Sequence, residues 1–219
     1  MTKKERAAAI VAALEREYPD PAPGLDYDED NAWQLLVAVR LAAQCTDARV
    51  NVVTPVLFER YPSPRALADA DVKDIESLIY TCGLGATKAR DIKGCMTMLT
   101  HDYSGRVPDT MEALLKLPGV GRKSANLILG DVFGKPAIVC DTHCIRINNL
   151  LGLIDTTNPN VAEKQLRAII ESEKGHNFCH RLVLHGRAVC VARSPKCDRC
   201  CLKNLCAFGS NKKEWGKSG

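Results

Sequence analysis

The stretch from Leu117 to His143, LPGVGRKSANLILGDVFGKPAIVCDTH, constrains the rest of the chain more than any other. It reads as a helix end, a tight Pro-Gly-Val-Gly turn, a helix from about Arg122 to Phe133, a break at Gly134 and Pro136, and an aspartate that opens another helix. Pro118 fixes one φ, while Gly119 and Gly121 permit backbone angles and close approaches that a Cβ would block. Their amides can then face an anion at the helix N-terminus, and a phosphate is the natural guest. Glu112 follows Asp109 by three residues in DTME, the pattern of a capping box on the helix that feeds the turn. The predicted element is helix, hairpin, helix, and it is not a Walker loop.

Lys123 falls in the first turn of the second helix beside Arg122, where the helix dipole and the neighbouring charge both disfavour an ammonium. An amine in that position is nearer to being a nucleophile. The plainer reading is that Arg122 and Lys123 add positive charge beside a bound phosphate, and these residues alone leave both open. Asp141 follows an extended apolar run, Ala137 to Cys140, and precedes a helical pattern ending at Gly152, so its plain role is an N-cap. A carboxylate delivered by a separate segment across a Gly/Pro break could also fold back towards Lys123. An amine and a carboxylate facing one cleft make a nucleophile and a charge-stabilising partner.

Near the end, Cys190, Cys197, Cys200 and Cys206 form C-x6-C-x2-C-x5-C, interleaved with Pro195 and basic side chains. Four thiols in a stretch too short for its own core point to a metal centre, because the metal supplies cross-linking that apolar burial cannot. Zinc and a [4Fe–4S] cluster both accept four thiolates. Zinc folds more often show two C-x2-C pairs, whereas this chain has one pair flanked by single cysteines, which favours iron–sulfur. The same spacing makes Cys201 a non-ligand. Between Cys190 and Cys197 runs the loop VARSPK, carrying Arg193 and Lys196.

LPGVGRKSAN followed by VCDTH resembles the helix-hairpin-helix, Gly/Pro-rich loop and aspartate signature of the DNA glycosylases, specifically the endonuclease III branch. Gln44 in LAAQCTD, Leu84 in CGLGATKA, His185-Gly186-Arg187 and the late cysteines fall in the family's order, so the resemblance covers about residues 5 to 206. It implies a bifunctional DNA glycosylase and AP lyase of base excision repair. The enzyme would remove oxidised pyrimidines from duplex DNA and cut at abasic sites by β-elimination. Lys123 would be the nucleophile and Asp141 its charge-stabilising or proton-accepting partner. Gly119, Gly121 and Arg122 would hold a DNA phosphate, and Arg193 and Lys196 would contact phosphates from the cysteine loop. Gln44 would fill the gap left by an extruded nucleotide while Leu84 wedges into the opposing strand. The 6-2-5 cysteine spacing is the one this branch uses for its [4Fe–4S] cluster, whose role would be to shape the loop. Gly85-Ala86 departs from the aromatic and larger polar residues often found there in the family, and His143 receives no role.

Three other readings compete. The adenine-removing branch shares the hairpin, aspartate and cluster, but lacks a lysine at the position of Lys123 and adds a C-terminal domain. A catalytically silent iron–sulfur module for DNA binding or redox sensing would need neither Lys123 nor Asp141. A zinc-dependent regulator is the third.

With 46% hydrophobic and 26% charged residues among 219, the chain can bury one large or two small cores and is not disordered. Nothing reads as alternating strands, so the fold class is all-α. Helices are expected from Asn31 to near Gln44, from a cap at Asp47 to a split at Thr54-Pro55, and at about 64–69, 71–81, 86–101, 109–117, 160–173 and 176–191. Pro21 to Asp30 is a connector between two lobes. One lobe is a helical barrel of residues 26–135 ending in the hairpin; the other joins residues 1–25 to 136–219 and holds the cluster, with the cleft between them. The N-terminal apolar run Ala7 to Leu14 is too short to span a membrane and reads as an amphipathic helix rather than a signal peptide. An odd set of eleven cysteines agrees with a reducing, cytoplasmic setting. Net charge is only +4, but basic groups recur at Lys88, Arg90 and Lys93, at Arg122 and Lys123, at Arg181 and Arg187, and among the late cysteines. Such patches can line one groove for a polyanion. The expected partner is double-stranded DNA bearing damaged pyrimidines or abasic sites, met by a monomer. The tail from Ser210 is polar and reads as disordered.

Overall fold

The computed structural model describes residues 1–21 and 23–209, and every regular element among them is helical, as an all-α fold requires. The expected disordered tail from Ser210 lies outside the described residues. No helix among the described residues is long and apolar enough to cross a membrane. The chain divides into two compact units, one of Pro23–Gly134 and one of Met1–Ala22 with Lys135–Gly219.

Helix α1 (Lys3–Glu17) opens on a capping box in which Thr2 accepts from the Glu5 amide and the Glu5 carboxylate accepts from the Thr2 amide. Ala7, Ile10, Val11 and Leu14 recur at the spacing of one helical face and are buried.

The Pro23–Gly134 unit holds α2 (Ala32–Leu41), α3 (Asp47–Arg60), α4 (Pro64–Asp69), α5 (Val72–Ile79), α6 (Gly85–Asp102), α7 (Met111–Leu114) and α8 (Arg122–Asp131). Helix α6 is its axis. Ala89, Ile92, Met96 and Leu99 are buried along it, and α2, α4 and α5 pack around it. Ser63 and Asp71 cap α4 and α5, and Pro64 starts α4 where a missing N–H costs nothing.

Three local expectations fail here, each for a physical reason. Helix α3 does not split at Thr54-Pro55. Pro55 lies on the exposed side, the Thr54 hydroxyl donates to the Val50 carbonyl at 3.1 Å, and buried Val50, Val53 and Leu57 carry the helix through. Its cap is Thr46 rather than Asp47, since the Thr46 hydroxyl accepts from the Arg49 amide. The DTME capping box is also absent. Thr110 caps α7 by accepting from the Ala113 amide at 3.3 Å, so Asp109 stands one residue too early and Glu112 pairs outward with Lys116.

The other unit adds α9 (Thr142–Leu150), α10 (Pro159–Arg167) and α11 (Gly175–Ala188) to α1. Helix α11 packs on α1 and α9 and buries Phe178, Cys179 and Leu182. Gly175 lets the extended Ala137–Ile138 backbone lie on the start of α11, because a Cβ there would come within 2.9 Å of the Ala137 carbonyl oxygen.

Candidate active site

The hairpin is a type II turn. Leu117 accepts from the Val120 amide at 3.1 Å, Pro118 takes the second position, and Gly119 the third with φ of 75°. Beneath it lies an ion pair that sequence reasoning missed, with Arg40 Nε and Nη2 donating to Asp91 Oδ2 at 2.7 and 2.6 Å. A Cβ at Gly119 would come within 2.8 Å of Arg40 Cδ and 2.9 Å of Asp91 Cβ, so this glycine is required twice, by its φ and by its floor. Gly121 is different. Its φ of −96° is ordinary and a Cβ there would meet no protein atom within 4 Å. Its bareness matters only towards something arriving from outside.

Gly121 is the N-cap of α8, and no side chain caps it. The leading amides of α8 are therefore available to an external acceptor, at the positive end of the helix dipole. Ala125, Asn126, Ile128 and Leu129 bury one face of α8, which turns Arg122 and Lys123 outward, both exposed.

Asp141 is the N-cap of α9, its Oδ1 accepting from the Cys144 amide at 2.6 Å. One oxygen is thus committed to structure, and the other is not used in capping. Below it, the buried Cys144 thiol is held by hydrogen bonds with Cys140 and Cys179, which together with burial push its pKa well up. The seat of His143 depends on a glycine: a Cβ at Gly186 on α11 would strike the His143 ring and come within 3.1 Å of Ile147 Cδ1. In the triplet His185-Gly186-Arg187, the glycine is the part that lets α11 approach α9.

Gln44 and Leu84 are both exposed and stand in the left-handed region, with φ of 56° and 53°. Neither is glycine, and both sit in loops of the Pro23–Gly134 unit.

Two basic residues expected on a groove are interior. Lys88 is fully buried, its Nζ donating to the Leu41 and Cys82 carbonyls at 2.8 and 2.9 Å, and burial lowers its pKa. Arg181 is buried and donates to the Tyr18 and Pro19 carbonyls at 2.9 and 3.2 Å, tying α11 to the end of α1. The spacing carried a signal for Lys88: it shares the apolar stripe of Ile92, Cys95, Met96 and Leu99 on α6. Arg90, Arg187, Arg193 and Lys196 are exposed, whereas half-buried Lys93 donates to the Ala70 carbonyl at 2.6 Å.

Cys190, Cys197, Cys200 and Cys206 gather around one small pocket of about 30 Å³, walled by Leu150, Val189 and Phe208. Cys201 is exposed and does not line it. The surrounding groups are arranged towards these sulfurs. Arg146 Nη1 lies 3.7 Å from Cys190 Sγ while its Nη2 donates to the Cys190 carbonyl at 2.6 Å, and the Gly209 amide donates to Cys206 Sγ at 3.4 Å. His185, which is buried, bridges Cys200 Sγ at 3.4 Å and the Tyr18 hydroxyl at 3.1 Å. Burial pushes the Cys200 thiol up to about 11 and the Tyr18 hydroxyl up to about 12.

Comparison with known proteins agrees with this geometry. Residues 37–172 match the family described as HhH-GPD superfamily base excision DNA repair protein. Endonuclease III of Synechocystis sp. is 45% identical over 206 residues, covering 94% of this chain and 93% of the relative, and that of Escherichia coli K12 is 35% identical over 94% and 96%. A solved trapped endonuclease III–DNA covalent intermediate superposes with a TM-score of 0.90 at 38% identity, covering 98% of this chain and all of the other. A thermostable thymine-DNA glycosylase, at 21% identity and a TM-score of 0.83, shares the fold. With the hairpin, the aspartate cap and the four gathered cysteines all present, the chain belongs to the endonuclease III branch of the HhH-GPD superfamily of base excision DNA repair proteins.

Proposed function

We propose that Lys123 and Asp141 carry the chemistry of this base excision repair enzyme, a DNA glycosylase with AP lyase activity, on damaged pyrimidines in duplex DNA. The observation that carries this reading is the uncapped α8 terminus behind a bare Gly121, with Lys123 exposed in its first turn. A backbone phosphate received by those amides fixes the strand beside the Lys123 amine.

The target nucleotide leaves the stack before reaction, because its sugar C1′ is shielded inside a duplex. The neutral Lys123 Nζ then donates its lone pair to C1′, a C–N bond forms, and the glycosidic bond breaks with its electron pair going to the base, which takes up the proton that the newly bonded nitrogen sheds. Ring opening gives an iminium between Nζ and C1′. Loss of a C2′ proton moves electrons towards that iminium and expels the 3′ phosphate, so the strand is cut by β-elimination. The Asp141 oxygen not used in capping stabilises the cationic character at C1′ or accepts the proton lost from the lysine.

The four late cysteines fit a [4Fe–4S] cluster better than zinc. Thiolates around one tetrahedral zinc ion sit about 3.8 Å apart, given Zn–S bonds of about 2.3 Å. Among the described residues no three of these sulfurs lie within 4.8 Å of one another, although all four line one pocket. When bound, the cluster supplies cross-linking rather than bond chemistry. Cys190, Cys197, Cys200 and Cys206 would hold it, and the loop between the first two presents Arg193 and Lys196 to DNA phosphates.

The test is a gel assay on duplexes carrying thymine glycol or an abasic site, with and without borohydride. Cutting of both, with protein covalently attached only when borohydride is present, is expected. Binding without cutting or attachment would instead support the silent module.

A further inference from the structure

Gln44 and Leu84 both hold a backbone conformation that L-residues avoid. Such strain persists only where the surroundings over-determine it. One buried side chain reaches both loops. Lys88 Nζ donates to the carbonyl of Leu41, three residues before Gln44, and to that of Cys82, two residues before Leu84, while its own amide donates to the Leu84 carbonyl at 3.0 Å. The Cys82 thiol also neighbours Cys45, the residue after Gln44. Burying an amine is costly, and an apolar residue would fill the α6 stripe at lower cost. Its presence there is explained by what it joins: two loops far apart in sequence that carry the residues assigned above to strand insertion.

We propose that Lys88 is a positioning residue for nucleotide extrusion, a clasp that fixes the Gln44 and Leu84 loops at one separation so that both side chains enter the duplex together. It touches no DNA. The proposal rests on the insertion roles of Gln44 and Leu84. Preset loops avoid the ordering cost that two mobile loops would meet at the moment of insertion.

The experiment measures unstacking with 2-aminopurine placed beside a thymine glycol, whose emission rises when the lesion leaves the stack. Lys88→Met keeps the length and removes both donors, and Lys88→Arg keeps donors. Lys88→Met is expected to lower the unstacking rate roughly ten- to hundredfold, the effect of losing two interior hydrogen bonds, with binding to undamaged duplex unchanged and Lys88→Arg retaining most of the rate. In a Gln44→Ala/Leu84→Ala background, adding Lys88→Met should change nothing further, because no side chain remains to be positioned. If Lys88→Met proves insoluble, Lys88→Gln takes its place in the same comparison. Normal unstacking by Lys88→Met while Gln44→Ala and Leu84→Ala are slowed overturns the clasp alone. Normal unstacking by Gln44→Ala and Leu84→Ala overturns the insertion roles on which it rests. Equal losses in unstacking and in undamaged binding, or a further loss in the doubly substituted background, would make Lys88 merely structural and also overturn it.

Discussion

At the residue scale, the two proposed reacting groups differ in what their local structure asks of them. Lys123 contributes nothing visible to stability: it stands exposed in the first turn of α8, on the face away from Ala125 and Ile128. Lys123→Gln should therefore leave folding and lesion binding intact while abolishing lyase cutting, since an amide forms no imine; melting temperature and cutting measured on one preparation check this. Asp141 has a structural duty as well. Asp141→Asn keeps an oxygen for the Cys144 amide and caps about as well, so stability should hold. Base removal should slow by roughly two to four orders of magnitude, as for a lost acid–base group, and cutting at a ready-made abasic site should suffer less because no base is expelled. Lesion cutting at the normal rate would leave Asp141 as a cap only. A glycine gives a sharper contrast. Gly119→Ala must accept a positive φ and displace the Arg40–Asp91 pair, whereas Gly121→Ala meets open space. The first should lower the melting temperature and the second should not, yet both should weaken DNA binding; equal melting temperatures would contradict the packing described for the turn.

At the element scale, the sequence made some things legible and hid others, and the difference is one of range. The hairpin, the Asp141 cap and the cysteine cavity rest on residues close together in the chain, so turn chemistry, capping preference and ligand spacing expose them. Pro55 misled because a proline's local cost was outweighed by three buried neighbours on α3. Asp109 and Asp47 misled because a neighbouring threonine, one residue away in each case, took the cap. Lys88, Arg40 with Asp91, and the His185 bridge were invisible as contacts because each joins segments far apart in the chain. Charge alone cannot separate a groove cation from a buried one. The loop between Cys190 and Cys197 can be tested as an element. Removing exposed Arg193 or Lys196 should weaken binding to damaged and undamaged duplex by similar factors and flatten the salt dependence, because phosphate contacts carry no lesion information. Titrations at several salt concentrations check this, and loss confined to damaged duplex would contradict it.

At the scale of the whole molecule, each compact unit is assigned one of the two reacting groups: Lys123 belongs to the Pro23–Gly134 unit, and Asp141 and the cysteine cavity to the other. The cysteines divide in the same spirit between chemistry and packing. Burial pushes Cys82 up to about 11 and Cys95 up to about 12, so at pH 8 neither is a thiolate, and both should resist iodoacetamide in the folded protein. Cys201 is exposed, and Cys201→Ser should leave cluster absorbance unchanged, whereas Cys200→Ser should reduce it together with the iron and sulfide content. The reverse pattern would overturn the ligand assignment. What ties the molecule together functionally is the covalent step. Protein reacting with an abasic duplex is reduced with borohydride, digested, and the modified peptide sequenced by mass spectrometry. A reduced sugar adduct on Lys123, absent from Lys123→Gln, is the predicted result; an adduct on another amine, or undiminished trapping by Lys123→Gln, would contradict it.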